Sequence, residues 1–223
     1  LAFIKAIWVS LDIDESYAVA LGYRLVRGDR LMRDMWEPHQ FSALIAAFLA
    51  APYIWIRGNT EYLVIWLRIA GALVHLGLGL LLYRRLRSSV SSFSAYVIVL
   101  LHLNYLPKWI QMPEFELIHY WCLLGIFLAL HAYYTGGGKG RVLPAAAGCL
   151  YVCSILCYPT MFILYPFYIL FMCLLERQYC RASGRKVFKS CCLFTGGALL
   201  TGTALLAYLF SYMSFGDFRR YLS

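Results

Sequence analysis

Three carboxylates crowd one short junction, in the order Leu11-Asp12-Ile13-Asp14-Glu15-Ser16-Tyr17. A carboxylate at a water boundary can take the proton of a hydroxyl nucleophile as a general base, or ligate a hard divalent cation. Asp12 and Glu15 also have the D-x-x-E spacing of a capping box, which would satisfy orphan amides at a helix start. Capping accounts for those two residues and does not require Asp14.

A second constellation is Arg33-Asp34-Met35-Trp36-Glu37-Pro38-His39, where two carboxylates and an imidazole share seven residues with an indole. It could roof a catalytic cavity. It could equally start a helix after Pro38, with Asp34 or Glu37 at the positive end of the dipole. Asp34, Glu37 and His39 could hold a metal, but the paired histidines at helical spacing that mark a zinc site are missing. The third constellation is Met112-Pro113-Glu114-Phe115-Glu116, just before an apolar stretch; carboxylates there are expensive in lipid and should face water or a partner. A helix-dipole role suits Glu116, and Glu114 is the better functional candidate. Arg57, Arg68 and Lys108 are the cations that could meet a phosphate, although Arg68 alone could snorkel or pair with an acid. His75, His102, His119 and His131 are scattered, and each reads as a packing or interhelical hydrogen-bonding residue. Cys149, Cys153 and Cys157 share one helix face and read as a close-packing row.

The elements that must position these residues are membrane helices. Of 223 residues, 62% are apolar and 14% charged, with a mean hydropathy of +0.67. Those values exclude a soluble enzyme domain and a disordered tail. Apolar blocks at 61–83, 90–106, 117–134, 142–157, 161–175 and 191–212 each approach one bilayer crossing, and residues 1–10 read as the end of a truncated first span. The expected fold is therefore all-α: a polytopic helical bundle of about seven transmembrane helices in a single module over 1–223. The formal charge of +9 reflects the positive-inside bias, not nucleic-acid binding. Arg84, Arg85 and Arg87, then Lys139 and Arg141, then Arg177, Arg181, Arg185, Lys186 and Lys189 occupy every second loop, which assigns those loops to the cytoplasm. Of the eleven carboxylates, only Glu176 falls on that side. Residues 11–59 form the large outer loop. Within it, Tyr17, Leu21 and Leu25 at helical spacing predict an interfacial helix, and 41–56 predicts a second juxtamembrane helix. Gly136, Gly137, Gly138 and Gly140 make a turn and not a phosphate loop, since no strand precedes them and no GK(S/T) follows.

The order of these features resembles a known family. Asp14-Glu15-Ser16-Tyr17, then Gly28-Asp29, then Arg33 to His39, then Trp66-Leu67-Arg68 on a helix ending in Arg84-Arg85-Leu86, is similar to the amino-terminal membrane module of GT-C glycosyltransferases. The likeness is to protein O-mannosyltransferases and the bacterial aminoarabinose transferases of lipid A, whose first loop reads D-E-x-Y, G-D, R-D-x-W-(D or E)-P-H. Met112-Pro113-Glu114 and Tyr158-Pro159-Thr160 resemble later landmarks of the same module. The resemblance is strongest over 12–87 and weak after Thr160. It implies a glycosyltransferase that moves a sugar from a polyprenyl phosphate carrier to an acceptor hydroxyl of a glycan, lipid or protein. The site would lie on the outer face, the bacterial plasma membrane being the implied location.

In that reading Asp14 is the catalytic base, and inversion follows from direct displacement of polyprenyl phosphate. Glu15, Asp34, Glu37, His39 and Glu114 support the base, bind the acceptor or ligate a metal; Arg57, Arg68 and Lys108 bind the donor phosphate. The reading fixes no cofactor, and a divalent ion would serve the developing phosphate charge as well as the cations do. Besides the donor and acceptor, the surrounding membrane lipid is the expected partner. Two rivals remain. A transporter or flippase for a lipid-linked substrate predicts ionisable residues toward the midplane. A catalytically silent assembly subunit predicts carboxylates used only as caps.

Overall fold

In the computed structural model, residues 8, 13–35, 39, 42–105, 112–178, 180 and 183–222 are described. Among them the chain is helical throughout. In order come α1 (Ile13–Val26), α2 (Ala43–Arg57), α3 (Leu63–Leu86), α4 (Ser92–Asn104), α5 (Phe115–Thr135) and α6 (Val142–Cys157). A 3-10 turn (Pro159–Leu164) then leads into α7 (Tyr165–Gln178), followed by α8 (Gly184–Phe210) and α9 (Phe215–Leu222).

Four helices among the described residues are long and apolar enough to cross a membrane: Leu63–Leu86, Phe115–Thr135, Pro159–Gln178 and Gly184–Phe210. They expose large apolar side chains such as Leu73, Leu80, Phe167, Leu170, Leu174 and Leu199, as helices solvated by lipid do. With 13 and 16 residues, α4 and α6 measure only about 20 and 24 Å, against a hydrocarbon layer of about 30 Å. The apolar block expected at 142–157 coincides with α6, between the turn at Gly140 and the break at Tyr158.

Two expectations need correction. The helix expected over the block 191–212 starts at Gly184, so Arg185, Lys186 and Lys189, assigned to a loop, stand on the first turns of α8. Hydropathy marks where lipid contact begins, whereas the backbone ladder runs on into water. The face read for α1 meets the packed side only in part: Leu21 is buried and Leu25 packs beside it, whereas Tyr17 is 37% exposed and Glu15, Ala18 and Gly22 complete the buried side.

The packing has two halves. At one end, α1 lies on α2, and a Cβ at Gly22 would come 3.2 Å from the backbone of Ala46. Ala18, Ala50, Ile54, Leu63, Leu67 and Met112 then join α1, α2 and α3 in one core. The other half centres on α6 and α8, whose backbones touch. A Cβ at Gly148 would sit 1.9 Å from the Phe194 carbonyl oxygen, and one at Gly197 2.0 Å from that of Ala145. Small residues permit this approach, and Cys149 uses it by donating its thiol to the Gly197 carbonyl at 3.3 Å. All eight cysteines are free.

Between the halves, α3 and α4 are clamped by two histidines. His75 and His102 stack with centroids 4.1 Å apart, and each Nε2 donates to the other's carbonyl, at 2.9 and 3.0 Å. Their Nδ1 atoms accept from Trp121 at 3.3 Å and Tyr120 at 2.7 Å, so both rings are satisfied as neutral tautomers.

Candidate functional site

The site is built at the first turn of α1, against the first third of α3. Glu15 and Arg68 are buried there, at 2% and 4% exposure. Arg68 Nε donates to Glu15 Oε1 at 2.8 Å, and Nη2 makes a shorter contact with Oε2, which completes a two-pronged fork. A guanidinium inside an apolar helix needs an anion, and a buried carboxylate needs donors in a fixed fork; each answers the other. Asp14, the preceding residue, is partly exposed in the same first turn, at the positive end of the α1 dipole. Residue 12 lies outside the described residues.

The loop after α1 is closed by its own charges. Arg24 Nε meets Asp29 Oδ2 at 2.6 Å, while Nη2 donates to the Asp34 carbonyl, also at 2.6 Å. The exposed Asp34 carboxylate accepts from the Arg30 amide at 2.8 Å. Within this loop Met32 has a φ of 61°, a conformation side chains rarely adopt. Tyr212, just past α8, donates its hydroxyl to the Leu31 carbonyl at 3.0 Å, and Arg30 lies 5.1 Å over its ring. Burial raises the Tyr212 phenol above its ordinary value, which keeps it a donor.

A second polar cluster surrounds the start of α5. Glu114 is fully buried and caps that helix, accepting from the Leu117 amide at 2.7 Å and the Glu116 amide at 3.0 Å. Glu116 Oε1 accepts from the Tyr158 hydroxyl at 3.0 Å, and His119 Nδ1 pairs with Ser154 Oγ at 2.9 Å. His39 reaches across from the first loop: its Nδ1 donates to the Cys157 carbonyl, and its ring stacks on Phe115 at 4.2 Å and meets the edge of Tyr158 at 5.4 Å. Met112, two residues before Glu114, shares a core with Ala18 and Leu67, which flank the Glu15–Arg68 pair in sequence.

The chain matches no family model, no characterised protein and no solved structure. The functional reading therefore rests on the residues.

Several expected residues are brought together: Asp14, Glu15 and Arg68 at one cluster, His39 and Glu114 at the other. Arg57 stays exposed on the last turn of α2, and no ion pair among the described residues involves it. Glu37 and Lys108 lie outside the described residues, as do Trp36 and Pro38. No three His, Cys, Asp or Glu side chains among the described residues are grouped to hold a metal ion. Sequence reasoning did not pair Glu15 with Arg68: the acid was read as a cap or a supporting, acceptor- or metal-binding group, and the cation as snorkelling, paired with some acid or bound to the donor phosphate. It also missed Tyr158 and Ser154, with only the break at Tyr158-Pro159 visible; His119, read as a packing or interhelical hydrogen-bonding residue, does bond across helices to Ser154.

Proposed function

We propose that this protein is a GT-C-like membrane glycosyltransferase, moving a sugar from a polyprenyl phosphate carrier to an acceptor hydroxyl on the outer face of a bacterial plasma membrane. The observation that carries the reading is Asp14, partly exposed at the start of α1, on a helix turn anchored next door by the buried Glu15–Arg68 fork. A base must keep water access to exchange its proton, and its backbone must not drift. In this reading α1 and α2 lie in the outer interface and α3 to α8 each cross, with local thinning of the bilayer at the short α4 and α6. The truncated span expected over 1–10 lies, apart from Trp8, outside the described residues.

The chemistry is a single displacement. Asp14 takes the acceptor's hydroxyl proton, the acceptor oxygen attacks the anomeric carbon, and the carbon–oxygen bond to phosphate breaks on the opposite face. Polyprenyl phosphate leaves as an anion and the anomeric centre inverts. Arg57 and Lys108 are the cations proposed for the donor phosphate. Arg68, committed to Glu15, acts as a positioning residue. Asp34 and Glu114 hold the first loop and the α5 entrance that frame the acceptor.

A second reading, a catalytically silent assembly subunit, is favoured by one observation: Glu15, Asp34 and Glu114 all have structural partners. Transfer of radiolabel from a panel of polyprenyl phosphate sugars, by the full-length protein in membranes, separates the two. The transferase reading expects transfer by wild type and a loss of at least 100-fold in a folded Asp14→Asn variant. Equal transfer by Asp14→Asn would remove the base assignment, and no transfer from any donor would favour the silent subunit.

A further inference from the structure

The strongest feature outside this site lies at the far end of the bundle. Because His75 meets Trp121 and Ser89 meets His131, α3 and α5 run parallel, and their C-terminal ends stand together away from Arg68. There an apolar cleft of about 680 Å³ opens between α5 and α7, within the range of ligand-binding cavities. Leu123, Phe127 and Leu130 form one wall, and Tyr168, Phe171 and Leu175 the other. One end is polar: His131 and Ser89 close it, with His131 Nε2 on Ser89 Oγ at 3.1 Å. The other ring nitrogen, Nδ1, is buried without any hydrogen-bond partner among the described residues. An orphan of this kind is rare in a settled structure and marks a place where an outside group completes the bonding.

The charge around that end is one-sided. Arg84, Arg85 and Arg87 are exposed where α3 ends, and none forms an ion pair among the described residues. Arg85 is within electrostatic reach of His131. Glu176, the carboxylate of this end, accepts from Tyr133 at 2.7 Å and faces a separate cavity with Arg141, Lys186 and Lys189.

We infer that the α5–α7 cleft binds an anionic phospholipid of the bilayer, with one acyl chain between the helices and the phosphate at Arg85 and His131. The apolar walls suit a hydrocarbon chain and not a water-soluble anion. Unpaired arginines beside them select a negative headgroup. A phosphate oxygen gives His131 Nδ1–H its missing acceptor, with Ser89 donating to Nε2. The inference stands apart from the proposed transferase, since it uses none of that site's residues.

The test is native mass spectrometry of the full chain in mild detergent, offered equal amounts of dioleoyl phosphatidylglycerol and dioleoyl phosphatidylcholine. One phosphatidylglycerol should stay with each chain, at least tenfold in preference to phosphatidylcholine. Arg85→Gln should weaken its retention about fivefold. Arg141→Gln, a cation of the same end outside the cleft, should leave it unchanged. Leu175→Trp, which fills the cleft, should lower retention of both lipids. Equal retention of the two lipids would overturn the inference, and so would an Arg141→Gln loss equal to that of Arg85→Gln. Preferential displacement of phosphatidylglycerol by undecaprenyl phosphate would also overturn it, by assigning the cleft to another lipid. Arg85 and Arg141 are both exposed, so their comparison holds even if Leu175→Trp fails to fold.

Discussion

Removing the cation from the Glu15–Arg68 fork should be among the most damaging single changes in this chain. The Arg68→Met variant keeps most of the apolar stem and leaves the Glu15 carboxylate in place. The two side chains are 5% and 3% exposed, so water cannot rescue the abandoned charge. Breaking a buried pair this way costs about 3–5 kcal/mol. A domain of this size loses about 2–4 °C of melting temperature per kcal/mol, which places the loss at roughly 6–20 °C. Replacing both partners, Glu15→Met with Arg68→Met, removes the stranded charge together with the pair and should recover most of the loss. Thermal unfolding in detergent, followed by exposure of the buried Cys122 and Cys157 to a thiol-reactive dye, reads all four corners of the cycle. Additive losses in the double variant, or an Arg68→Met melting point within about 2 °C of wild type, would refute the reasoning. The same variants separate two roles for Arg68. A donor-phosphate ligand would leave the stable double variant without sugar binding, whereas a positioning residue would return binding together with stability.

Gly148→Ala should prevent α6 and α8 from meeting, because its Cβ would overlap the Phe194 carbonyl. Gly196→Ala, with nothing within 4 Å, should melt like wild type or slightly above it; comparable losses in both would refute the close-approach account. His102→Phe keeps the ring but removes a donor to the His75 carbonyl and an acceptor from Tyr120; with partners left buried it should cost about 1–3 kcal/mol in the same melting assay. The Ser214–Asp217 capping box should give α9 an acid limit. Hydrogen bonds from the Ser214 hydroxyl and amide hold the Asp217 carboxyl below its usual value. Its contribution is therefore complete above the unfolded value, about pH 4, and is lost as pH falls through the lower folded one. Hydrogen-exchange protection of α9 should fall on acidification in wild type and lose that dependence in Asp217→Asn.

What could be read from the sequence was what local chemistry determines. The limits of α6 follow from Gly140 and the Tyr158-Pro159 break, both signals within a residue or two of the ends. That Arg68 would snorkel or pair with an anion was readable, but not which of the two, nor which anion. Glu15 lies 53 residues away, and the choice depends on how α1 is rotated on α3, which packing sets and spacing does not. The apolar pattern of Tyr17, Leu21 and Leu25 was read as a membrane-surface face and gave no sign of which partner the Glu15 side of α1 would meet. His39 and Cys157 lie 118 residues apart, and no local pattern links a first-loop imidazole to a carbonyl at the end of α6. Glu114 shows a subtler difficulty. A carboxylate after Pro113 looks the same as a cap or as a catalytic group; only the two amide donors show that capping occupies both its oxygens.

These pairings bear on which carboxylate could move a proton. Glu15 in the fork, Glu114 on two amides and Asp34 on the Arg30 amide are each used as acceptors that hold the chain in place. Acids held in that way serve as anchors, with one or both oxygens already taken up by those contacts. A base in a transfer reaction must gain a proton in every cycle and then lose it to water. Among the described acids of the three constellations, Asp14 and Glu116 are both partly exposed in a first helix turn; Glu116 accepts from Tyr158, and Asp14 adjoins the buried Glu15–Arg68 fork. The transferase proposal concentrates on Asp14 for that reason. In that proposal the Glu15–Arg68 fork ties α1 to α3 and the Asp34 contacts close the first loop, so that the Asp14 carboxylate would stay where an acceptor hydroxyl arrives.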